Sequence, residues 1–185
     1  MKQKRLQYKI AVWLTMGLMI VDPLVVPFVY AENPIEVDRN APHERQAMIG
    51  QAANGVTLVN VVGPSAGGVS RNDYTNFNVP QNGVILNNSY QMSNTKLCGY
   101  VPGNTNMMRG SANVIVNEIT SHNPTNMNGF IEVAGHKASV VIANPNGITV
   151  DGGGFINTDR AVLTTGKPEY DSSGNLNSYR VERGI

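Results

Sequence analysis

The residues of this 185-residue chain that could do chemistry are a thin set of carboxylates, three histidines, one cysteine and many turn-forming asparagines. Asp151-Gly152-Gly153-Gly154 invites comparison with the calcium-binding β-roll repeat Gly-Gly-x-Gly-x-Asp. Here the acid precedes the glycines and the unit does not recur, which falls short of the roughly six to eight oxygen ligands calcium takes. His43, His122 and His136 share no pair spacing of a zinc site. Gly63 to Gly68 lacks the Lys-Ser/Thr pair of a phosphate loop. After Thr105 the acids are Glu118, Glu132, Asp151, Asp159, Glu169, Asp171 and Glu182, and no site pattern links them. Glu118 is expected to face solvent or to bond a neighbouring asparagine, because ionised carboxylates are seldom buried unpaired. Cys98 is alone, so no intramolecular disulfide can form, and it reads as a small, partly buried apolar residue. No metal, cofactor or catalytic residue is expected.

The asparagines carry a different chemistry. Asn144-Pro145-Asn146-Gly147 is a turn in which proline fixes φ near about −65°, the asparagine side chains cap local amides and glycine supplies positive φ. Turns of this kind close short β-branched runs at Ala138 to Ile142, Ile148 to Val150 and Ala161 to Thr165, and such punctuation favours strands. Tyr74 to Val79 alternates apolar and polar residues with period two, as a strand with one buried face does. Val84 to Leu86, Val114 to Ile119 and Phe130 to Val133 continue the series, while Met92 to Arg109 reads as a loop or short hairpin beside the main body.

Strands every ten to twenty residues, polar turns and only 15% charged residues suggest an all-β, right-handed parallel β-helix with an amino-terminal cap and small extra-helical hairpins. Asparagine suits the corners, since it tolerates left-handed backbone and stacked amides can bond from rung to rung. A sandwich is the alternative, because no strict repeat can be written down.

Two long stretches carry a family resemblance: VAGHKASVVIANPNGITVDGGGFINTDRAVLTTG from Val133 to Gly166, and NGVTLVNVVGPSAGGVSRNDYTNFNVPQNGVILNN from Asn54 to Asn88. They resemble the amino-terminal secretion domain of the filamentous haemagglutinin family of two-partner-secretion exoproteins, which includes adhesins and contact-dependent inhibition toxins. The resemblance implies a β-helix and marks three elements as a secretion motif. Asn144, Pro145, Asn146 and Gly147, followed by Ile148, keep the family's Asn-Pro-Asn core. Asn104, Thr105, Asn106 and Met107 depart from it at Thr105 and Met107, where proline and leucine are usual. Asn117, Glu118 and Ile119 form the third. Relatives carry two cysteines near the positions of Val150 and Gly153, so this chain must hold that turn without a bridge.

The first 31 residues have the composition of a secretory signal peptide: Lys2, Lys4, Arg5 and Lys9, then an apolar run from Ile10 to Val21, then Val29-Tyr30-Ala31, with cleavage expected between Ala31 and Glu32. An uncleaved anchor would need about 20 uninterrupted apolar residues, and Asp22, Pro23 and Pro27 interrupt them. Without residues 1–31 the formal charge of +1 becomes ten basic against twelve acidic groups, a balance with no electrostatic footprint for nucleic acid. Residues 32–53 are expected to lead in and cap the solenoid, and residues 54–185 to form the secretion domain. Tyr179 to Ile185 looks like the start of a further strand, as in a fragment or truncated product.

The resemblance implies a secreted or cell-surface protein, delivered to the periplasm by the Sec export machinery. Its further partner would be an outer-membrane β-barrel transporter with POTRA repeats. A carbohydrate-binding adhesin module is the alternative, contacting host or neighbour-cell surface glycans through Tyr74, Phe77, Tyr90, Tyr100, Tyr170 or Tyr179, and a β-helical polysaccharide-degrading enzyme is a more distant one.

Overall fold

A computed structural model describes residues 34–181. The signal segment, with Ala31 and Glu32, lies outside the described residues. Strands dominate, and the helical pieces among the described residues are two 3₁₀ turns, His43–Arg45 and Thr105–Arg109.

Two five-stranded sheets and a shorter third face define a coil. The first sheet is ordered β1 (Ile35–Val37), β4 (Val69–Phe77), β8 (Val114–Ile119), β11 (Ala138–Ala143), β14 (Thr158–Thr164). The second runs β2 (Met48–Gln51), β3 (Thr57–Asn60), β5 (Val84–Asn88), β10 (Phe130–Gly135), β13 (Gly154–Ile156). The third face pairs β9 (Thr125–Met127) with β12 (Ile148–Val150), and Val79 bridges to Met127 above them. Chain order visits the second sheet, the first and then the third face on each turn. Every pairing between consecutive turns is parallel. The fold is therefore the expected right-handed parallel β-helix, and the sandwich alternative fails on that parallel pairing.

The apolar residues of the strands meet inside the coil. Val59, Leu86, Ile131 and Val133 from one sheet face Tyr74, Ile115, Val140 and Ile142 from the other, and Met127 and Val79 close the third side. Phe77 packs edge-on to Tyr74 at 5.0 Å between ring centres, a favoured aromatic geometry.

The missing strict repeat has a local cause. Paired residues on the second sheet are 27 apart between the first two rungs (Thr57 with Val84) and 24 apart between the last two (Phe130 with Gly154), but 47 apart in the middle (Val84 with Ile131). The excess is an excursion holding a hairpin, β6 (Ser93–Thr95) and β7 (Gly99–Val101), and the second 3₁₀ turn. Asn88 closes it. Its Nδ2 donates to Ala112 O at 2.8 Å, and its Oδ1 accepts from Ala112 N at 2.7 Å, so one side chain stands in for a strand's backbone. The hairpin lies on the outer face of the second sheet, where Val101, Leu97 and Cys98 pack with Ile85 and Ala134. The carboxylate of Glu132 fastens it by accepting N–H from Lys96 at 2.7 and 2.9 Å and from Leu97 at 2.8 Å.

A second hairpin, β15 (Lys167–Tyr170) and β16 (Leu176–Arg180), covers the outer face of the first sheet, with Tyr170, Leu176 and Tyr179 against Val69, Val116 and Val141. Tyr179 lies in a further strand, as expected, though that strand begins at Leu176 and pairs antiparallel with β15 instead of joining the parallel coil. At the amino-terminal end β1 and β2 run antiparallel to β4 and β3. The chain there reverses direction, and its strands lie across the first rung.

Asn88→Ala should leave the Ala112 N–H and C=O buried without partners, a loss of about 1–3 kcal/mol. A urea titration of the variant is expected to show a lower midpoint with an unchanged slope; an unchanged midpoint would mean the excursion is held closed elsewhere.

Candidate functional site

The two asparagine tetrapeptides, distant in sequence and different in spelling, build the same device. Asn104 and Asn144 are both buried. Asn144 Nδ2 donates to Asn123 O and Thr125 Oγ1, each at 2.9 Å, while its Oδ1 accepts from Asn146 N at 2.9 Å. Asn104 Nδ2 donates to Val61 O at 2.8 Å and Asn87 O at 2.9 Å, and its Oδ1 accepts from Asn106 N at 3.1 Å. The second asparagine repeats the theme, Asn146 donating to Ser121 O at 2.7 Å and Asn106 to Val61 O at 3.1 Å. Even the backbone turn matches: Gly147 N donates to Asn144 O, and Met107 N to Asn104 O.

This equivalence explains why Thr105 and Met107 can depart from the family pattern. Thr105 and Pro145 are both exposed, and the turn's hydrogen bonds come from the flanking asparagines. Met107 is buried in the main core, where it fills the volume a leucine would. Gly147 takes φ +106°, a value that favours glycine. Ile148 packs against the same core.

Asn117 points inward in register with Asn72. Asn72 Nδ2 reaches Val116 O and Asn117 Nδ2 reaches Val141 O, both at 3.2 Å, a short amide ladder along the coil. Ile119 is buried beside Tyr74 in the same register.

Glu118 corrects the sequence expectation. Its side chain is buried, not solvent-facing, and it meets Arg71 Nη2 at 2.8 Å. Arg71 Nε lies 3.4 Å from Asp73, and Arg45 lies 3.6 Å from the other oxygen of Asp73. The Tyr170 ring covers the Arg71 guanidinium at 4.5 Å, a cation–π contact. Burial pushes both Glu118 and Asp73 above the ordinary carboxylate range, and Arg71 pulls each part of the way back. Burial likewise raises the Tyr170 hydroxyl. The cluster joins β4, β8 and the covering hairpin, and only the strand register reveals it: Arg71 and Asp73 are two apart on one strand, and Asp73 pairs with Glu118 on the next.

The remaining chemical candidates resolve into structure. Among the described residues no three of His, Cys, Asp and Glu gather where a metal could sit. At the Asp151 turn Gly153 lies against the Gly129 carbonyl, where a Cβ would come within 2.8 Å. With no disulfide, Asp151 N donates to Met127 O at 2.8 Å and so ties the turn to the rung before it. Cys98 is half-buried, its Sγ 3.2 Å from Thr95 Oγ1. Gly63-Pro64-Ser65-Ala66-Gly67 has the Gly-x-Ser-x-Gly spelling of a nucleophile elbow. Ser65 sits between two strands, not on a strand-to-helix turn, and its hydroxyl donates to Gly174 O at 3.0 Å. Of the aromatic candidates for glycan contact, Tyr74 and Phe77 are wholly buried, which removes them; Tyr90 and Tyr100 are 55% and 73% exposed.

Buried amide corners on a parallel β-helix, with two hairpins packed on its outer faces, define a small β-helical domain without a catalytic or metal-binding cluster among the described residues. The TPS secretion domain family matches residues 34–184, and the chain belongs to that family. It is 51% identical to the Toxin CdiA of Yersinia pestis over 154 residues, and 48% identical to the 16S rRNA endonuclease CdiA of Enterobacter cloacae over 136. Those matches cover 83% and 72% of this chain but only 5% and 4% of the relatives, so the chain spans a small fraction of their length. The crystal structure of the filamentous hemagglutinin secretion domain superposes with a TM-score of 0.69 at 33% identity, over 76% of this chain and 45% of that one.

Glu118 and Asp73 have folded-state pKa values raised above their unfolded values. The stability they contribute is thus fully present below the unfolded carboxylate pKa of about 4 and is lost as pH rises through the folded one. Glu118→Gln removes one titrating group, so its unfolding midpoint is expected to gain on the parent's as pH is raised from about 4 to 8. Parallel midpoint curves would overturn the assignment.

Proposed function

We propose that this domain directs the export of a large surface exoprotein. After Sec-dependent delivery to the periplasm and cleavage after Ala31, the chain is recognised by the POTRA repeats of a dedicated outer-membrane β-barrel transporter, crosses unfolded and folds at the cell surface. The observation that carries this reading is the order of strand pairing. Each rung strand pairs with the strand one coil earlier in the chain, so a chain emerging amino-terminus first always finds its template already outside. Rung-by-rung growth is the natural folding mode of a solenoid, and each added rung opposes back-sliding. Docking of an extended segment on POTRA repeats would be strand addition, with main-chain bonds giving affinity and alternate side chains giving selectivity.

The domain itself carries no catalysis in this reading. Asp73 and Glu118 lie under the carboxy-terminal hairpin, and the third buried carboxylate, Glu132, is occupied by two backbone N–H groups, those of Lys96 and Leu97. The nuclease and toxin activities in the relatives' names belong to proteins far longer than this chain. A glycan-binding role is supported by the exposed rings of Tyr90 and Tyr100, both in the excursion between Asn88 and Ala112, since such rings give sugars a flat apolar platform.

Deleting the cognate barrel is expected to strand the chain in the periplasm; normal surface display in the deletion strain would refute the reading. Because the exposed Thr105 and Pro145 add nothing to the corner bonds, Thr105→Ala and Pro145→Ala should export at the parental level. Export lost at an unchanged unfolding midpoint would instead make these turns transporter contacts.

A further inference from the structure

The amino-terminal end of the coil holds a groove of about 780 Å³ that no part of the export reading uses. Its walls come from the segment before and into β2, from the Val62–Pro64 corner and from the second 3₁₀ turn. Three basic side chains, Arg39, His43 and Arg109, line it against a single acid, Glu44. Arg39 and Arg109 are exposed, and the ion pairs of the described residues engage Arg45, Arg71, Lys137 and Arg180, not these two. Two guanidiniums on separate segments of one groove, neither in an ion pair among the described residues, present ten N–H donors in planar forks suited to carboxylate oxygens.

The groove is built rather than loose. Gln46 Nε2 donates to Ala41 O at 2.7 Å and to Arg39 O at 3.3 Å, and Asn40 N donates to Asp38 Oδ1 at 2.8 Å, which fixes the loop carrying Arg39. Asn106 is held by its bond to Val61 O at 3.1 Å. Gly63 lets the floor approach closely, since a Cβ there would lie 3.0 Å from the Asn106 carbonyl.

Beside the groove runs a sheet edge that the described residues leave unpaired. Among the described residues, β2 is the terminal strand of its sheet and β3 is its one ladder partner. A terminal strand presents alternating N–H and C=O groups that another extended chain can complete. Met48 on that strand and Met108 on the opposite wall's turn are 54% and 70% exposed, adaptable apolar surface of the kind that accepts varied side chains.

We propose that this end of the domain binds an extended, acidic polypeptide segment, which adds to the free edge of β2 and sets carboxylates on Arg39 and Arg109. A polypeptide fits better than an anionic lipid surface, because only a main chain satisfies the alternating groups of a strand edge. Neither the transporter nor the export route enters the argument, so this site stands or fails apart from the secretion reading.

The test uses the purified full chain with a fluorescent peptide of alternating Glu and Thr, a Gln-Thr counterpart, and phosphatidylglycerol vesicles, read by anisotropy, sedimentation and amide hydrogen exchange. The acidic peptide is expected to bind and to slow exchange within Met48–Gln51. The Gln-Thr peptide and the double variant Arg39→Gln/Arg109→Gln should each bind about tenfold more weakly. Both arginines are exposed, so the variant's unfolding midpoint is expected to match the parent's, which separates lost binding from lost folding. Equal affinity in the variant, unchanged exchange along β2, or binding to vesicles with none to the peptide would overturn the proposal.

Discussion

The corners of the coil set the problem the rest of this structure answers. Between corners, each strand's backbone groups are satisfied by the strands of neighbouring rungs. At a corner the chain turns, the ladder lapses, and the freed carbonyls and N–H groups lie in a dry interior where each unpaired one costs about 1–3 kcal/mol. Asparagine resolves this because its amide has the same donor and acceptor pair as a peptide unit. Asn88 closes a backbone gap onto Ala112, Asn104 spans Val61 and Asn87, and Asn144 spans Asn123 and Thr125. Asn157, with φ +55°, adds Val133 and Gly135 at the following corner. The low aromatic and charged content of the chain follows, since the interior is narrow and its polar needs are met by short side chains.

The outer faces show a second solution to burial. Each hairpin covers apolar strand residues that would otherwise face water; a carboxylate of the sheet beneath fastens the first, and an arginine held by carboxylates of the sheet meets the second. Glu132 uses backbone N–H donors, which suit an ionised acceptor closely. Glu118 uses an arginine that must also serve Asp73, under a tyrosine ring. Burial opposes charge there, so that pairing works against its own desolvation, and it specifies where the hairpin lies more than it adds to stability.

Much of this was legible in the sequence, and the limits have physical causes. β-Branched runs between Asn, Pro and Gly clusters gave the strands, and asparagine at corners gave the coil, because both signals are local. The repeat was hidden by the excursion between Asn88 and Ala112, which only the pairing of Val84 with Ile131 exposes. The Glu118 environment was misjudged for a related reason: the rule that carboxylates avoid burial holds for unpaired ones, and Arg71 sits 47 residues earlier, brought alongside by register alone. Tyr74 and Phe77 are three residues apart and would fall on opposite faces of a regular strand; the bulge at Thr75, where Glu36 pairs with Asn76 and Val37 with Tyr74, turns both inward, and no local signal announces it. The equivalence of the two asparagine turns could not be read from their letters, since Thr105 and Pro145 differ in every property except being exposed.

The carboxy-terminal hairpin adds a constraint of another kind. Rung contacts join residues roughly one coil apart, so they can form in the order the chain is made or exported. The hairpin's turn instead docks on the first rung: Ser65 donates to Gly174 across 109 residues of sequence, and Gly67 is pressed so closely against Asn175 that a Cβ would clash with its side chain. Arg71 beneath Tyr170 repeats the link. Loop-closure entropy makes such a contact slow to form relative to neighbouring rungs. The coil can therefore grow rung by rung, with the contacts of residues 167–180 on Ser65, Gly67 and Arg71 the last to close. Under the export route proposed above, that order favours completion outside the cell, because the contacts of Gly174, Asn175 and Tyr170 with Ser65, Gly67 and Arg71 need nearly the whole domain to have emerged.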